Sequence, residues 1–212
     1  MRIGIITRHL NLPVGFGTYA RELLTALGKV DSQNEYFIYT PERPELKLPE
    51  RFKIRNGEVA RVRSQLTYWD HVSAPVAAKR DQVDVIHYLH TACPLPLVRR
   101  PVITNVLDAI GWVLPEYRLP FVYDRLARRD IRFATHLITI SEAAKQDLHR
   151  ILKVPEDKVS VTYLAGPRTV TRTAGRKQPF WLFIDGLEKR KNLRAALEAF
   201  SELPGQMRMA VV

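Results

Sequence analysis

Residues 2–30 read RIGIITRHLNLPVGFGTYARELLTALGKV, and this stretch decides the fold because it joins a buried strand to an amphipathic helix through a glycine-bearing loop. The run from Arg2 to Thr7 is almost continuously apolar, as is typical of a strand covered on both faces of a parallel sheet. A helix is predicted from Thr18 to Val30, with Thr18 as its N-cap. Its buried stripe at the helical period comprises Tyr19, Leu23 and Leu27.

The alternation of strand and helix continues along the chain. Further strands are predicted at Tyr36–Tyr39, Phe52–Arg55, Glu58–Val62, Val83–His87, Val102–Val106, His136–Ile140 and Val159–Tyr163. Helices are predicted at Leu66–Lys79, Phe121–Phe133 and Ser141–Leu152, the last with Ser141 as N-cap. Such alternation requires right-handed crossovers, so the sequence predicts an α/β fold with a Rossmann-like, doubly wound parallel sheet.

A change of pattern at residues 167–179 indicates a domain boundary. The segment PRTVTRTAGRKQP has no apolar periodicity and is rich in Gly, Pro, Thr and cations, which is typical of a linker. Beyond it come a strand at Phe180–Ile184, a helix ending near Phe200 and a strand in MRMAVV. One strand, one helix and one return strand cannot complete a parallel sheet. We therefore expect a whole domain at 1–166 and an incomplete second Rossmann-like domain at 180–212.

Composition limits the class of protein and its partners. Hydrophobic residues make up 46% of the 212, enough for a sizeable core, and the single cysteine, Cys93, excludes an internal disulfide and fits a cytoplasmic setting. The sequence shows no signal peptide and no apolar run of about 18 residues. The formal charge of +11 favours an anionic partner, either a phosphorylated small molecule or an anionic membrane surface. Nucleic acid is disfavoured because no recognition motif is present.

Loops at the carboxyl ends of the strands hold the candidate site residues. Gly15 and Gly17 would let the backbone approach a ligand in front of a helix N-terminus, the alternative being an ordinary connection. Asp108 and Glu116 could orient sugar hydroxyls or act as a base, the alternative being that Asp108 caps a turn and Glu116 is solvated. His90, in a polar loop, is a candidate for contacting a substrate. Neither His87 nor His90 has a metal partner at a useful spacing, and a single cysteine cannot supply a cysteine-rich site, so no metal is expected.

Two basic segments are candidates for binding anions. Arg190 and Lys191 precede the last helix, whose free backbone N–H groups and dipole favour an anion. The helix at Phe121–Phe133 combines aromatic residues with Arg125, Arg128, Arg129 and Arg132. That combination is compatible with a helix lying on anionic lipid, but Asp124 and Asp130 dilute the signal and favour a solvated charged face.

Four segments, in this order, carry a family resemblance: GFGTYARELLTAL, PVITNVLDAIGWVLPEY, HLITISEAAKQDL and FIDGLEKRKNLRAALEAF. Together they resemble glycosyltransferase family 4, and the resemblance extends across nearly the whole chain. It implies the two-domain GT-B fold, with this chain holding the N-terminal half and the start of the second domain. It also implies a hexosyltransferase that uses a nucleotide-diphospho-sugar donor and a glycan or lipid-linked acceptor. Transfer with retention of anomeric configuration, without a metal or other cofactor, is implied as well.

The resemblance assigns roles to a few residues. Gly15 and Gly17 match the loop that approaches the donor diphosphate, and Arg190 and Lys191 match the basic pair of the second domain, where Lys191 would neutralise the departing phosphate. From their loop positions, and not from the resemblance, Asp108 is the predicted catalytic residue, and His90 and Glu116 are predicted to contact the acceptor sugar.

The chain also departs from the family pattern. Leu107 stands where many members have a histidine before the aspartate. The family's glutamate pair would lie beyond Val212, so we expect the donor site to be largely absent and these 212 residues to be inactive alone. Two alternatives stay open: a non-catalytic relative that binds a sugar or lipid acceptor, and an unrelated doubly wound enzyme with a nucleotide cofactor. The second is disfavoured because Ala20 breaks the GxGxxG spacing.

Overall fold

The computed structural model describes residues 1–13, 15–56, 63–96, 99–166, 180–184, 188–203 and 208–211. The chain divides into two compact units, Met1–Ala165 and Gly166–Val212. Two predicted segments, the linker at 167–179 and the short strand at 58–62, lie outside the described residues.

The first unit is built on a seven-stranded parallel sheet. Its strands are β1 (Arg2–Ile6), β2 (Glu35–Thr40), β3 (Phe52–Asn56), β4 (Val85–Tyr88), β5 (Val102–Asn105), β6 (His136–Thr139) and β7 (Val159–Val161). They lie side by side in the order β3-β2-β1-β4-β5-β6-β7, and every pair is parallel. The sheet order reverses between β1 and β4, which creates a topological switch point. The predicted doubly wound α/β fold is confirmed.

Helices described in this unit connect the strands. They are α1 (Gly15–Val30), α2 (Arg63–Tyr68), α3 (Ala74–Arg80), α4 (Ile110–Val113), α5 (Phe121–Phe133) and α6 (Glu142–Leu152). The predicted cap of α6 is confirmed, because the Ser141 hydroxyl accepts a hydrogen bond from the Ala144 amide at 3.1 Å.

Neighbouring residues of β1 pack on opposite faces of the sheet. Ile5 belongs to the core cluster that includes Ala20 and Leu24 of α1. Ile6 belongs to a separate cluster with Ala74 and Ala78 of α3. Because successive side chains of a strand alternate between faces, both must be apolar when helices cover both sides. This double coverage explains the continuous apolar run that the sequence shows.

Helix α1 begins at Gly15, so the predicted start and N-cap at Thr18 are wrong. The preceding loop folds back over the first turn: a Cβ on Gly17 would lie 2.0 Å from the Leu12 carbonyl oxygen and 2.6 Å from that of His9. Arg21 fixes this loop by donating to the carbonyl oxygen of Leu12 at 2.9 Å. The Thr18 hydroxyl accepts from the same guanidinium at 3.2 Å and does not cap the helix.

The helix predicted at Leu66–Lys79 is interrupted. Between α2 and α3 the chain forms a π-helical segment, Trp69–Ser73, whose first three residues are buried. A π-helical turn is rare and often lies at a functional site. Here it rotates Asp70 and His71 into the interior of the first unit.

The second unit has the predicted strand-helix-strand order. Strands β8 (Phe180–Phe183) and β9 (Arg208–Val211) pair in parallel, and α7 (Leu193–Ser201) lies between them in sequence. A short 3₁₀ turn, Lys189–Lys191, precedes α7. Asn192 links the turn to the helix with a left-handed backbone, φ 53°. Asparagine is one of the few residues that tolerate this conformation.

Candidate functional site

A cavity of about 350 Å³ lies in the first unit at the carboxyl ends of β1, β4 and β5. Its polar lining includes Arg8, His9, His71, His90, Asp108 and Asp130. This edge of the sheet contains the switch point between β1 and β4, where open α/β sheets bind ligands. The volume is at the lower end of the range of about 300–1,000 Å³ for small-molecule sites.

The sheet brings residues that are distant in sequence to one wall. Arg8 and His9 follow β1, His90 follows β4 and Asp108 follows β5. Because parallel strands end at a common edge, residues just beyond each strand become neighbours.

Asp70 connects two of these side chains. Its Oδ2 accepts from the Arg8 guanidinium at 2.6 Å, and its Oδ1 is 2.9 Å from Nε2 of His90. Asp70 is only 2% exposed, and its backbone carbonyl accepts from the Tyr88 hydroxyl at 2.6 Å. Burial acts to raise the pKa of Asp70, but His90 and Arg8 together hold that pKa below its usual value. Asp70 therefore stays ionised and fixes the positions of Arg8 and His90.

His71 and Asp130 form a second buried pair on the cavity wall. Nε2 of His71 is 2.9 Å from Asp130 Oδ2, and Nδ1 is 2.7 Å from the Thr67 carbonyl oxygen. Both ring nitrogens face acceptors, so both must carry protons. Burial acts to lower the pKa of His71, but the bond to Asp130 raises it above the usual value. Arg129 completes the group by donating to Asp130 Oδ1 at 2.7 Å.

His9 is in the opposite protonation state. Burial, followed by the charges of His90 and Arg8, lowers the pKa of His9 to about 3. Its Nε2 accepts a long hydrogen bond of 3.4 Å from Arg8 Nε, and its ring lies edge-on to that of His90 with centroids 5.2 Å apart. The cavity thus combines a neutral imidazole with a protonated one.

His9 and His71 are expected to change the pH dependence of stability in opposite directions. With its pKa lowered, His9 costs stability as the pH falls below 6.5, because the unfolded chain then binds a proton that the native chain does not. With its pKa raised, His71 contributes stability that is fully present below pH 6.5 and is lost as the pH rises through the folded-state pKa.

Urea unfolding of His9→Asn and His71→Asn at several pH values between about 5 and 8 measures these contributions. As the pH falls, the stability advantage of the wild type over the His9 variant should shrink, and its advantage over the His71 variant should grow. Equal slopes for the two variants would contradict the assigned protonation states.

Three of the predicted site residues differ in whether they line the cavity. His90 and Asp108 both line the cavity, where the Asp108 carboxylate also accepts from the Ile110 amide at 3.0 Å. Asp108 thus forms the turn that the alternative interpretation described, and its catalytic role stays a prediction. Glu116 is exposed on a 3₁₀ turn and does not line the cavity.

The two glycines of α1 differ in their surroundings. Gly17 is buried beneath the carbonyl groups of His9 and Leu12, so its missing side chain serves the packing of the loop. A Cβ on Gly15 would have no described atom within 4 Å, which leaves open space beside this first helical residue. Their predicted contact with a donor diphosphate stays a prediction.

Arg190 and Lys191 belong to the second unit. They lie in the 3₁₀ turn before α7, where Arg190 forms an ion pair of 2.6 Å with Glu188. The Lys191 amide donates to the Glu188 carbonyl oxygen at 2.9 Å, which fixes the turn. The predicted position of both cations beside the start of the last helix is confirmed.

Sequence patterns did not identify Arg8, His9, Asp70, His71 and Asp130 as site residues. Arg8 and His9 follow the first strand, so their place in a carboxyl-end loop was an available signal. Asp70 and His71 lie within a predicted amphipathic helix, and the π-helical turn that buries them has no marker in the sequence. Among the described residues, no group of three or more His, Cys, Asp or Glu side chains is arranged to hold a metal ion.

Comparison with known proteins gives a family and a fold. The model of the family described as Glycosyltransferase Family 4 matches residues 14–165. No curated protein sequence matches the chain significantly.

Three solved structures illustrate the likeness of fold. WaaG, a glycosyltransferase involved in lipopolysaccharide biosynthesis, has a TM-score of 0.62 at 14% identity, covering 99% of this chain and 62% of that one. Anabaena Alr3699/HepE in complex with UDP has a TM-score of 0.61 at 13% identity, covering 100% and 60%. The apo lipopolysaccharide outer core galactosyltransferase WaaB has a TM-score of 0.58 at 11% identity, covering 100% and 60%. The chain therefore spans about 60% of the length of these structures.

Proposed function

The chain belongs to glycosyltransferase family 4, and on this premise we propose that it takes part in transferring a hexose from a nucleotide-diphospho-sugar to a glycan or lipid-linked acceptor. We propose retention of anomeric configuration and no metal or other cofactor. In this proposal the first unit binds the acceptor, and the second unit contributes to binding the donor.

The cavity at the switch point is the observation that carries this proposal. It gathers neutral and charged hydrogen-bonding groups, including His9, His71 and Asp108, beside the aromatic rings of Phe16 and Trp112. A sugar presents hydroxyl groups around its edge and C–H groups on its faces. A lining that combines polar groups with aromatic faces suits both.

Donor binding is supported by the second unit. Arg190 and Lys191 lie in the turn directly before α7, and the N-terminal backbone N–H groups and dipole of that helix favour an anion such as a diphosphate. Lys191 would neutralise the negative charge that develops on the departing nucleotide, which stabilises the transition state more than the ground state. The UDP bound to HepE supports a nucleotide-linked donor.

A thermal-shift screen of sugar nucleotides tests donor binding in the full-length protein. A ligand that binds only the native state raises the unfolding temperature. We expect a subset of the sugar nucleotides to raise it, and the free sugars lacking the diphosphate to leave it unchanged. A screen without any stabilising sugar nucleotide would favour the alternative, a non-catalytic protein that binds a sugar or lipid acceptor.

Contact with an anionic membrane surface is a further part of the proposal. At the start of α5, Phe121 and Val122 expose 72% and 71% of their surfaces, and Arg125 lies over the Phe121 ring at 5.5 Å. Exposed apolar side chains beside cations suit the boundary between headgroups and acyl chains.

The single cysteine, the buried Cys93, supports a cytoplasmic setting. Among the described helices, none is long and apolar enough to cross a membrane.

Sedimentation with liposomes measures membrane contact. We expect the protein to bind anionic vesicles at low salt and to dissociate at high salt, because screening weakens the attraction of the arginines. Replacing Phe121 and Val122 with serine should reduce binding by about a hundredfold or more, since each fully buried apolar side chain contributes about 1.5–3 kcal/mol and each 1.4 kcal/mol is a factor of ten. Val30→Ser, an equally exposed position at the end of α1, is the matched control and should bind normally. Binding that is independent of the salt concentration and unaffected by these substitutions would contradict membrane contact through α5.

A further inference from the structure

We propose that the first unit contains a second binding site, which takes a phosphate group and lies at the edge of the sheet opposite the candidate functional site. The site is a cavity of about 500 Å³ formed by the last turn of α5, the end of α6 and the segment that leads to β7. Those helix ends lead into the amino ends of β6 and β7, whereas the first cavity lies at carboxyl ends. No described residue lines both cavities. This inference goes beyond the proposed function and does not rest on it.

Every charged side chain that the structure places in the lining of this second cavity is positive. The cations are Arg128, Arg132, Lys153 and Lys158. The remaining lining residues are apolar: Ile131, Leu152, Val154 and Pro155. We call this space the basic cavity. A ligand inside it meets hydrogen-bond donors from the described side chains but no side-chain acceptor, which suits an anion whose oxygens only accept.

Two of the four cations have partners, and only one of them is paired with a carboxylate. Arg128 donates through Nε to both carboxylate oxygens of Asp124, at 3.0 and 2.9 Å. The Lys158 ammonium donates to the carbonyl oxygens of Ile131 and Arg132 at the end of α5, at 3.0 and 2.8 Å. An ammonium has one more N–H than these two bonds use. Burial lowers the pKa of Lys158, and the two carbonyl groups bring no full negative charge to offset this effect.

Arg132 and Lys153 have no partner for their charges in the part of the chain that the structure describes. Both side chains are exposed, and neither forms an ion pair or a side-chain hydrogen bond with a described residue. Charge-assisted hydrogen bonds to phosphate are short and strong, and a guanidinium can form a parallel pair of them. These two cations, with the remaining donor of Lys158, provide the contacts that a phosphate group requires.

The same cations also stabilise the ends of their helices. Arg132 is in the last turn of α5, and Lys153 directly follows α6. A helix dipole places about half a negative charge at its C-terminal end, so the two ends together offset about one cation. Glu156 and Asp157, the next acids along the chain, are exposed, do not line the basic cavity and are screened by solvent. The dipoles therefore do not account for all the positive charge in the basic cavity.

The apolar part of the lining belongs to the core of the first unit. Ile131 and Val154 are 3% and 5% exposed and pack in the same hydrophobic cluster. An anion beside such side chains is partly shielded from water, which strengthens its attraction to the cations. The ligand chemistry is that of a terminal phosphate group. A soluble phosphorylated molecule and the headgroup of an anionic lipid such as phosphatidic acid both present this group.

Amide resonances of Val154 and Lys158 in NMR spectra of the full-length protein report binding in the basic cavity. The probes are inorganic phosphate and glycerol 3-phosphate, with acetate at matched ionic strength as the control anion. We expect both phosphates to shift these resonances in a saturable way and acetate to leave them nearly unchanged. Arg132→Gln/Lys153→Gly should weaken the binding of glycerol 3-phosphate by about tenfold or more, because two charge-assisted contacts are lost.

The substitution at position 153 is chosen to preserve the fold. Lys153 has a left-handed backbone, φ 56°, directly after α6, where glycine is the preferred residue. Lys153→Gly should therefore unfold at the same temperature as the wild type or at a higher one. Lys29→Gln/Arg150→Gln is the matched control, since it removes two exposed cations that line neither cavity and should bind glycerol 3-phosphate normally. Equal weakening in the two double variants would overturn the inference, because it would show attraction to the overall charge alone.

Sedimentation with phosphatidylcholine vesicles, with and without phosphatidic acid, identifies the source of the phosphate. If Arg132→Gln/Lys153→Gly loses the part of vesicle binding that requires phosphatidic acid, the ligand is a lipid headgroup. If that binding is unchanged while glycerol 3-phosphate binds less tightly, the ligand is a soluble molecule. Either result supports the site, whereas the absence of a saturable shift with both phosphates would overturn it. Sugar transfer is measured separately, so none of these outcomes bears on the proposed function.

Discussion

Sugar transfer by the full-length protein is expected to fall by about a hundredfold or more when Lys191 is replaced with alanine. Lys191 lies in the 3₁₀ turn directly before α7, at the end of the helix where an anion is favoured. In the proposed function, a cation fixed at this place would act on the charge that develops on the departing diphosphate. The loss should therefore appear mainly in kcat, with a smaller change in the KM for the donor.

Lys189→Ala is the matched control for this variant. Lys189 is in the same turn and is exposed, whereas Lys191 is half-buried. The control therefore deletes a nearby positive charge that is exposed to solvent. Its transfer rate should stay within a few-fold of the wild type, and circular dichroism should show both variants folded. Unchanged turnover in Lys191→Ala would remove Lys191 from the mechanism.

Gly17→Ala is expected to destabilise the first unit by about 3 kcal/mol, the upper end of the usual cost of overpacking. The added Cβ would lie 2.0 Å from the Leu12 carbonyl oxygen and 2.6 Å from that of His9. Both are backbone atoms, so the loop must move away from α1. Since Arg8 and His9 are part of this connection to α1, the variant should also lose ligand binding in the cavity.

Gly15→Ala separates this clash from a general effect of replacing glycine in the helix. A Cβ at Gly15 has no described atom within 4 Å, and alanine favours helix, so this variant should match the wild type or gain up to about 1 kcal/mol. Thermal unfolding of the two variants measures the difference. The unfolding temperature of Gly17→Ala should lie roughly 6–12 °C below that of the wild type in a chain of this size. Equal unfolding temperatures would show that the loop does not pack on Gly17.

The architecture was predictable from the sequence because the strands are buried on both faces. Continuous apolar runs, such as residues 3–6 of β1, differ clearly from the helical period of α5 and α6. The start of α1 was not predictable by the same means. It depends on a loop that is held over the first turn by Arg21, a contact between residues that no local pattern connects.

The candidate site was predictable only where it is made of loops. His90 and Asp108 follow strands, so the rule that ligands bind beyond the carboxyl ends identified them. Asp70, His71 and Asp130 lie on helices, and their burial results from the π-helical turn and from the pairing of two helices. Such pairing is tertiary, so sequence alone could not distinguish these three buried side chains from those of a solvated helix face. Glu116 also lies in a loop but does not line the cavity, and its contact with the acceptor stays a prediction.

The central proposal is that this protein takes part in transferring a sugar from a nucleotide-diphospho-sugar. It is tested most directly by incubating the full-length protein with a panel of sugar nucleotides and methyl glycoside acceptors, and by determining the anomeric configuration of any product by NMR. We predict a glycoside product from at least one donor, with the anomeric configuration of that donor, and no product with Lys191→Ala. Absence of transfer from every sugar nucleotide, with and without anionic liposomes, would contradict the claim.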